Sequence, residues 1–421
     1  MLTRALLLLL AVGWTGSAIA QPFADDSEQA EPGPDLAWRP SIALTTIGYD
    51  TNVLNDHDDP EGDFVTAVRT GLRPSLRLGP AAVGGEAALT YTYYAQLARE
   101  RGLDGTGRVR VMLPFSRIRL HGSGAYFNQK ERFNDEVDAR ARHAATEATV
   151  GVDIALGALT ALTFSAARRR VDFADTGTMV RTGSSETVET GDTLENIGIE
   201  DLEPQRTLDR TEHAVTAGLR YELTPLTTIS GNVSMGRHRF VFSPDRDGES
   251  AGADVAIEMA EDAVVGGHGR IGWRRVTLAS PLVPPFSGLA GSAGVTAHVG
   301  GSTRVGFGAR RDLTFSVGEV LPYFVESAFG GSVGRSLGER FEIGMRVERI
   351  RLEYVRLLDA IDPGGYRERV TRLGGSMTYR APSGLEVTFH VDKRFRRTSA
   401  DSSRDYDSLR FYTSIGPVLS F

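Results

Sequence analysis

The sequence predicts an all-β fold, namely a transmembrane up-and-down antiparallel β-barrel. Three observations lead to this prediction. From Trp38 onwards, segments of about 10 to 18 residues alternate apolar and polar side chains, as expected for strands with one face in lipid and one in a lumen. Short turns and longer loops alternate between these segments. After residue 20, no apolar stretch approaches the roughly 20 residues that a membrane helix requires.

The first 20 residues have the features of a secretory signal peptide. Arg4 precedes an apolar block, Ala5 to Trp14, that is too short to span a bilayer, and Ala18 to Ala20 supplies a small-x-small cleavage site. The chain contains no cysteine, so neither an acylated lipoprotein nor a disulfide-stapled domain is expected. An exported chain without disulfides needs another source of stability, which a barrel in a membrane provides.

Residues 21–37 are predicted to form a flexible periplasmic lead-in. This segment is acidic, contains proline and lacks the pattern of a buried face. The alternating segments then occupy nearly all of residues 38–421. The sequence therefore predicts one barrel and no second domain.

The end of the chain reads as a final barrel strand. Counting back from Phe421, the alternate positions include Leu419, Ile415 and Phe411, while the positions between them are mostly polar or small. A strand that ends on an aromatic residue resembles the signal by which outer-membrane barrels are recognised for insertion. We therefore expect a bacterial outer-membrane protein whose partners include the barrel assembly machinery, membrane lipid and lipopolysaccharide.

Two kinds of connection alternate along the chain, as in an up-and-down barrel and unlike a Greek-key sandwich. Short connections rich in Gly, Pro or Thr, predicted to be periplasmic turns, lie near residues 79–80, 114–115, 157–158, 224–225, 300–301, 337–338 and 382–383. Polar, acidic connections, predicted to be extracellular loops, lie at residues 55–63, 99–105, 131–136, 174–205, 244–252, 279–285, 357–365 and 398–404.

The segments number about 18, an even count that places both termini in the periplasm. The tenth segment must descend through residues 253–260 and turn near residues 261–262. Without it and its neighbour the count would be about 16. A barrel of either size encloses an aqueous lumen unless a loop plugs it.

Assigning the apolar face of each strand to lipid turns the other face towards the lumen. Lys393 and Arg311 fall on the lipid side in this scheme, so Lys393 is expected at a membrane edge and Arg311 at an interface or a bulge. The residues predicted to line the lumen are Arg69, Arg73, Arg77, Arg108, Arg110, Arg117, Arg119, Arg220, Arg270, Arg274, Arg304, Arg310, Asp312, Arg346, Glu386, Asp392, Arg394 and Arg410.

Basic residues outnumber acidic ones in this predicted lumen, although the formal net charge of the chain is -7. The long loop at residues 174–205 carries much of the negative charge. Acidic loops outside a basic wall would favour passage of anions or acidic sugars. Alternatively, the arginines and acids brace neighbouring strands and confer no selectivity.

Motifs for catalysis or for cofactor binding are missing from the sequence. The eight histidines show no metal-ligand spacing, and no nucleophile motif such as G-x-S-x-G occurs. The Asp56 to Asp59 segment is acidic but lacks the register of a calcium loop. We expect no enzyme activity, no cofactor, no bound metal and no nucleic-acid partner.

Several segments resemble the β-barrel porin family of outer-membrane proteins associated with exopolysaccharide and capsule secretion. The resemblance is strongest in the second half of the chain, and its segments are residues 48–54, 270–276, 286–290, 302–312 and 323–333. It implies a wide, monomeric barrel through which a polysaccharide made in the periplasm leaves the cell. It also implies a periplasmic polysaccharide export protein and a co-polymerase as partners.

Three functions therefore remain open. The preferred one is a conduit for exopolysaccharide export, and the second is a general or anion-selective diffusion porin. The third is a structural or adhesive barrel with a plugged lumen.

Overall fold

The computed structural model describes residues 36–138, 140–174, 204–260, 263–318, 320–358, 366–399 and 404–417. The predicted signal peptide, nearly all of the lead-in, most of the long loop at residues 174–205 and Phe421 lie outside the described residues. Within these ranges, no helix has the length and apolar character needed to cross a membrane.

Eighteen strands account for most of the described chain. They are β1 (Leu36–Asp50), β2 (Asp63–Leu78), β3 (Ala81–Tyr94), β4 (Gly102–Pro114), β5 (Ile118–Glu131), β6 (Ala141–Ala155), β7 (Thr160–Phe173), β8 (Arg210–Thr224), β9 (Thr227–Phe240), β10 (Gly248–Met259), β11 (Val265–Leu278), β12 (Phe286–Val299), β13 (Thr303–Phe315), β14 (Tyr323–Leu337), β15 (Phe341–Val355), β16 (Arg367–Arg380), β17 (Leu385–Thr398) and β18 (Tyr406–Pro417). Short 3-10 helices occur at Ala98–Glu100, Pro204–Leu208 and Pro244–Arg246.

The strands form a closed barrel. Each strand pairs antiparallel with the next one along the chain, and β18 pairs with β1. Closure gives every strand a partner on both sides, so neither the first nor the last strand is left as an open edge of the sheet. The predicted 18-stranded up-and-down barrel is confirmed, and β10, the uncertain tenth strand, pairs along its whole length with β9 and β11. The alternative of 16 strands is wrong.

The two ends of the barrel differ in their connections. Short turns join the strands at the end where β1 begins and β18 ends, and several of them use a glycine with positive φ, such as Gly79 and Gly338. We call this the turn end, which faces the periplasm in barrels of this kind, and the opposite one the loop end.

The predicted loop boundaries are wrong at a few places. Residues 248–252 were assigned to a loop but belong to β10, and β1 begins two residues inside the predicted lead-in. A connection between β13 and β14, residues 316–322, was not predicted. It contains the apolar residues Val317, Val320 and Leu321, and its one charged residue is Glu319, so it does not have the polar composition on which the prediction depended.

The largest buried apolar cluster lies inside the barrel at the loop end. β12 pairs with β13 only from Gly291 and Arg311 towards the turn end, so the tip of the β13–β14 hairpin separates from β12. There the Phe315 ring packs against the inner-face Phe240 ring, with 4.9 Å between centroids. The hairpin tip therefore leans into the lumen and narrows it.

Candidate functional site

The inner face of the barrel is recognised by its charged side chains, which pair with charges on the next strand or on the strand after it. Arg119 on β5 donates to Asp153 on β6 at 2.6 Å, and Arg274 on β11 donates to Asp312 on β13 at 2.7 Å. The positions between them along each strand carry exposed apolar side chains such as Ile271. Successive side chains of a pleated strand point to opposite faces of the sheet. One residue known to face inwards therefore identifies all the inward residues of that strand.

Paired charges cover the inner face of β13–β17, which we call the paired wall. The Arg310 guanidinium contacts Glu326 and Glu348 at 2.7 Å each. Glu348 in turn accepts a hydrogen bond from Arg372 at 3.0 Å. A second chain of ion pairs nearer the turn end joins Arg304, Glu342, Arg380 and Glu386. Each charge on this wall is therefore offset by a neighbour of opposite sign.

Arginines dominate the inner face of β1–β4 towards the turn end, which we call the arginine wall. Its one inner carboxylate in the described strands, Glu86, lies 3.5 Å from Arg69 and 3.9 Å from Arg73. Arg39 and Arg73 are direct cross-strand partners, which places like charges side by side. The wall consists of Arg39, Arg69, Arg73, Arg77, Arg108 and Arg110 around Glu86.

The connection between β5 and β6, residues 132–140, crosses the lumen, and we call it the crossing loop. Asp135 accepts hydrogen bonds from Arg372 at 2.5 Å and Arg394 at 2.6 Å, both on the paired wall. Asp138 accepts one from the fully buried Arg396 at 2.6 Å. Because β5 and β6 are far from β16 and β17 around the ring, these contacts hold the loop across the interior.

Apolar side chains fix the same loop to the wall from which it leaves. The Phe133 ring lies edge-on to Phe173 with 4.8 Å between centroids. Val137 belongs to the same buried cluster. On the opposite side, Glu136 accepts a hydrogen bond from the Ser316 hydroxyl at 2.5 Å. Together with the β13–β14 tip, the crossing loop fills much of the loop end of the lumen.

Burial and ion pairing act in opposite directions on the two buried carboxylates of the crossing loop. Burial raises the pKa of Asp135, but Arg372 and Arg394 overcome it and bring the pKa down to about 2. Burial raises the pKa of Glu136 above its ordinary value, although its hydrogen bond from Ser316 opposes the shift. Asp135 is therefore the charged anchor of the loop.

The structure places the predicted lumen residues on the inner face, with one exception. Arg117 lies in the turn between β4 and β5, because β4 ends at Pro114 and β5 begins at Ile118. The prediction extended the alternation of β5 into this turn. The remaining predicted residues, from Arg69 to Arg410, occupy inner positions by their cross-strand partners.

Sequence reasoning missed several inner carboxylates and the crossing loop. Glu86, Asp153, Asp254 and Glu326 face inwards, so the excess of basic over acidic residues in the lumen is smaller than predicted. The same alternation rule, applied to every strand, would have found them. The sequence also offers a signal for the inward loop, since Phe133 and Val137 are apolar in an otherwise polar connection.

The part of the chain that the structure describes contains no cluster of three or more His, Asp or Glu side chains that could hold a metal ion. The cations of the interior are mainly guanidinium groups, which attract, orient or bridge anions.

Residues 37–416 match the family described as Putative beta-barrel porin 2. No curated protein matches the sequence.

Several solved outer-membrane structures are similar in fold. Pseudomonas aeruginosa OpdK has a TM-score of 0.48 and 12% identity, over 90% of this chain and 98% of that one. P. aeruginosa OccK2 (OpdF) has a TM-score of 0.49 and 10% identity, over 90% and 97% of the two chains. P. aeruginosa OccK11 (OpdR) has a TM-score of 0.44 and 13% identity, over 90% and 96%. Similarity this low says nothing about which solute the present chain would carry.

Proposed function

This chain belongs to the Putative beta-barrel porin 2 family, and from that premise we propose that it is a diffusion channel for small anionic solutes. In general terms, the protein is a porin-like β-barrel of a bacterial outer membrane. The proposal adds the size and the charge of what passes.

The arginine wall is the observation that carries the proposed anion preference. Six arginines share one side of the lumen with Glu86, towards the turn end and away from the crossing loop. A patch of one charge in a narrow channel with low-dielectric walls concentrates ions of the opposite charge. Guanidinium groups also match the geometry of carboxylates and phosphates.

The narrowing of the lumen at the loop end favours a small solute over a large one. Asp135 and Asp138 hold the crossing loop against the opposite wall, and Phe315 brings the β13–β14 tip into the same space. A polysaccharide would need these contacts to open along its whole path, whereas a small anion needs only a gap beside the loop. Export of a polysaccharide, which the family resemblance suggested, is therefore our second choice.

The proposal is tested by conductance in planar lipid bilayers with a salt gradient across the membrane. We expect the reversal potential of the wild-type protein to show a preference for anions. Replacing Arg73 and Arg108 by Gln should reduce that preference, because both lie on the arginine wall.

The matched control replaces two arginines that lie outside the lumen at the turn end, Arg335→Gln and Arg340→Gln. It removes the same charge and should leave selectivity unchanged. A wild-type pore that prefers cations contradicts the proposal. A protein that conducts neither in the wild type nor after Asp135→Asn, which releases the loop, favours a plugged structural barrel instead.

A further inference from the structure

A row of arginines crosses the lipid-facing surface of the barrel near its loop end. Arg351 on β15, Arg369 on β16 and Arg397 on β17 are direct cross-strand neighbours with exposed side chains. They alternate with Glu368 and Arg396, which face the interior. Further outward cations on β13–β17 extend this row, and we call the whole set the outer belt: Arg311, Arg349, Arg351, Arg367, Arg369, Lys393 and Arg397.

Few carboxylates offset the charge of the outer belt. Glu353 contacts Arg351 at 2.8 Å, and Asp407 contacts Arg397 at 3.1 Å. Arg369 stands between these two arginines and has no carboxylate partner among the residues that the structure describes. Like charges directly opposite each other on neighbouring strands repel. The belt therefore keeps a net positive charge that an external anion would stabilise.

The belt is placed where a cation on the lipid face costs least, at the membrane interface. It lies in the loop-end halves of β13, β15, β16 and β17. At the turn ends of the same five strands, the outward cation in the described chain is Arg335. Most other outward positions there are apolar or aromatic and include Phe341, Ile343, Tyr379, Leu385 and Val387. The positive charge thus faces one leaflet, the one at the loop end.

An apolar groove lies directly below the belt on the outer face. Its volume is about 710 Å³, and Gly331 and Gly375 deepen it because they have no side chain. Met345 and Leu373 line it, and Lys393 stands at its edge. A groove for a hydrocarbon chain beneath a cluster of cations fits an amphiphile with an anionic head.

We propose that the outer belt binds the phosphate groups of lipopolysaccharide in the outer leaflet, with one acyl chain in the groove. Lipid A carries phosphates on a glycolipid head, and arginine donates to phosphate through two parallel N–H groups. The three neighbouring arginines present such donors side by side. This interaction is separate from transport, because the belt and the lumen lie on opposite faces of the wall.

The test is titration of the purified full-length protein in detergent micelles with bisphosphorylated lipid A. Dephosphorylated lipid A and inorganic phosphate are titrated separately. The variant Arg351→Gln/Arg369→Gln/Arg397→Gln should bind bisphosphorylated lipid A more weakly by on the order of 100-fold, or about fivefold per arginine.

The matched control, Arg77→Gln/Arg108→Gln/Arg110→Gln, removes three charges from the inner face and should bind lipid A like the wild type. If the triple belt variant does not fold, Arg369→Gln alone should still show the loss of about fivefold. Equal binding of the dephosphorylated lipid overturns the proposal, and so does an equal loss in the inner-face control. Tight binding of inorganic phosphate alone would identify a free-anion site and also overturn it.

Discussion

The two inner walls of the barrel both carry many arginines, but they differ in how closely carboxylates pair with those arginines. On the paired wall, Arg310 and Arg372 lie between carboxylates at hydrogen-bond distance. On the arginine wall, Arg39 and Arg73 stand side by side, and Glu86 contacts its arginines at 3.5 Å or more. The first arrangement stabilises the barrel and anchors the crossing loop. The second concentrates positive charge on one side of the lumen, which we propose attracts an anionic solute.

The difference teaches how to separate structural from functional arginines in a barrel. Local arrangements that reduce stability without a compensating partner are expected at functional sites. Arg394 belongs to the structural kind, because its guanidinium donates a hydrogen bond to Asp135 of the crossing loop. Arg39, which faces Arg73, belongs to the other kind. Composition alone counts both kinds as basic lumen residues.

The largest effect is expected at Arg396, the most buried cation of the paired wall. Its guanidinium lies between Asp138 at 2.6 Å and Glu368 at 3.4 Å, and both Arg396 and Glu368 are fully buried. Arg396→Gln leaves Glu368 with reduced compensation, so we expect the free energy of unfolding to fall by about 3–5 kcal/mol. Urea unfolding of the protein in lipid vesicles measures this.

Arg108→Gln on the arginine wall is the matched control for that substitution. Arg108 is exposed, and its contacts are the Glu86 directly opposite and the Phe127 ring at 5.2 Å, so the free energy of unfolding should change by less than about 1 kcal/mol. If the two substitutions destabilise the barrel equally, the distinction between the two walls is wrong.

A smaller loss of stability is expected at acid pH, where Asp135 becomes protonated. Its pKa in the folded protein is about 2, below its ordinary value, so its contribution to stability is complete above about pH 4. The contribution disappears as the pH falls towards 2 and amounts to roughly 2–3 kcal/mol. Asp135→Asn should reduce the dependence of the unfolding free energy on pH between 4 and 2 by that amount.

Channel opening provides the second measurement on the same variant. With the carboxylate gone, Arg372 and Arg394 hold the crossing loop less firmly, so Asp135→Asn should conduct more than the wild type at neutral pH. Asp392→Asn is the control, because Asp392 pairs with Arg346 on the paired wall and not with the loop. An equal rise in conductance in that control would show that the loop is not what limits passage.

The sequence predicted what depends on neighbours two residues apart. The alternation of faces assigned Arg310, Asp312 and Arg394 to the inner wall, and it also detected Lys393 and Arg311 as cations on the lipid face. These two now form part of the outer belt. The alternation failed at Arg117, where a turn interrupts the strand.

Contacts across the lumen could not be predicted in this way. Asp135 and Arg372 are 237 positions apart in the chain, and no local period connects them. The inward tip of the β13–β14 hairpin likewise depends on Phe315 meeting Phe240, which requires the closed barrel. Anchoring of the crossing loop is therefore a property of the tertiary structure alone.

The smallest effect is expected on the arginine wall itself, at Arg39. Arg39→Gln removes one of two like charges that face each other across β1 and β2, so the free energy of unfolding should rise by a few tenths of a kcal/mol, up to about 1. The gain should shrink in high salt, because counterions screen charges that are partly exposed. Urea unfolding at about 0.01 M and 1 M salt measures both the gain in stability and its decrease in high salt. A loss of stability at low salt would mean that Arg39 has a partner that holds it in place, and that this wall resembles the paired one.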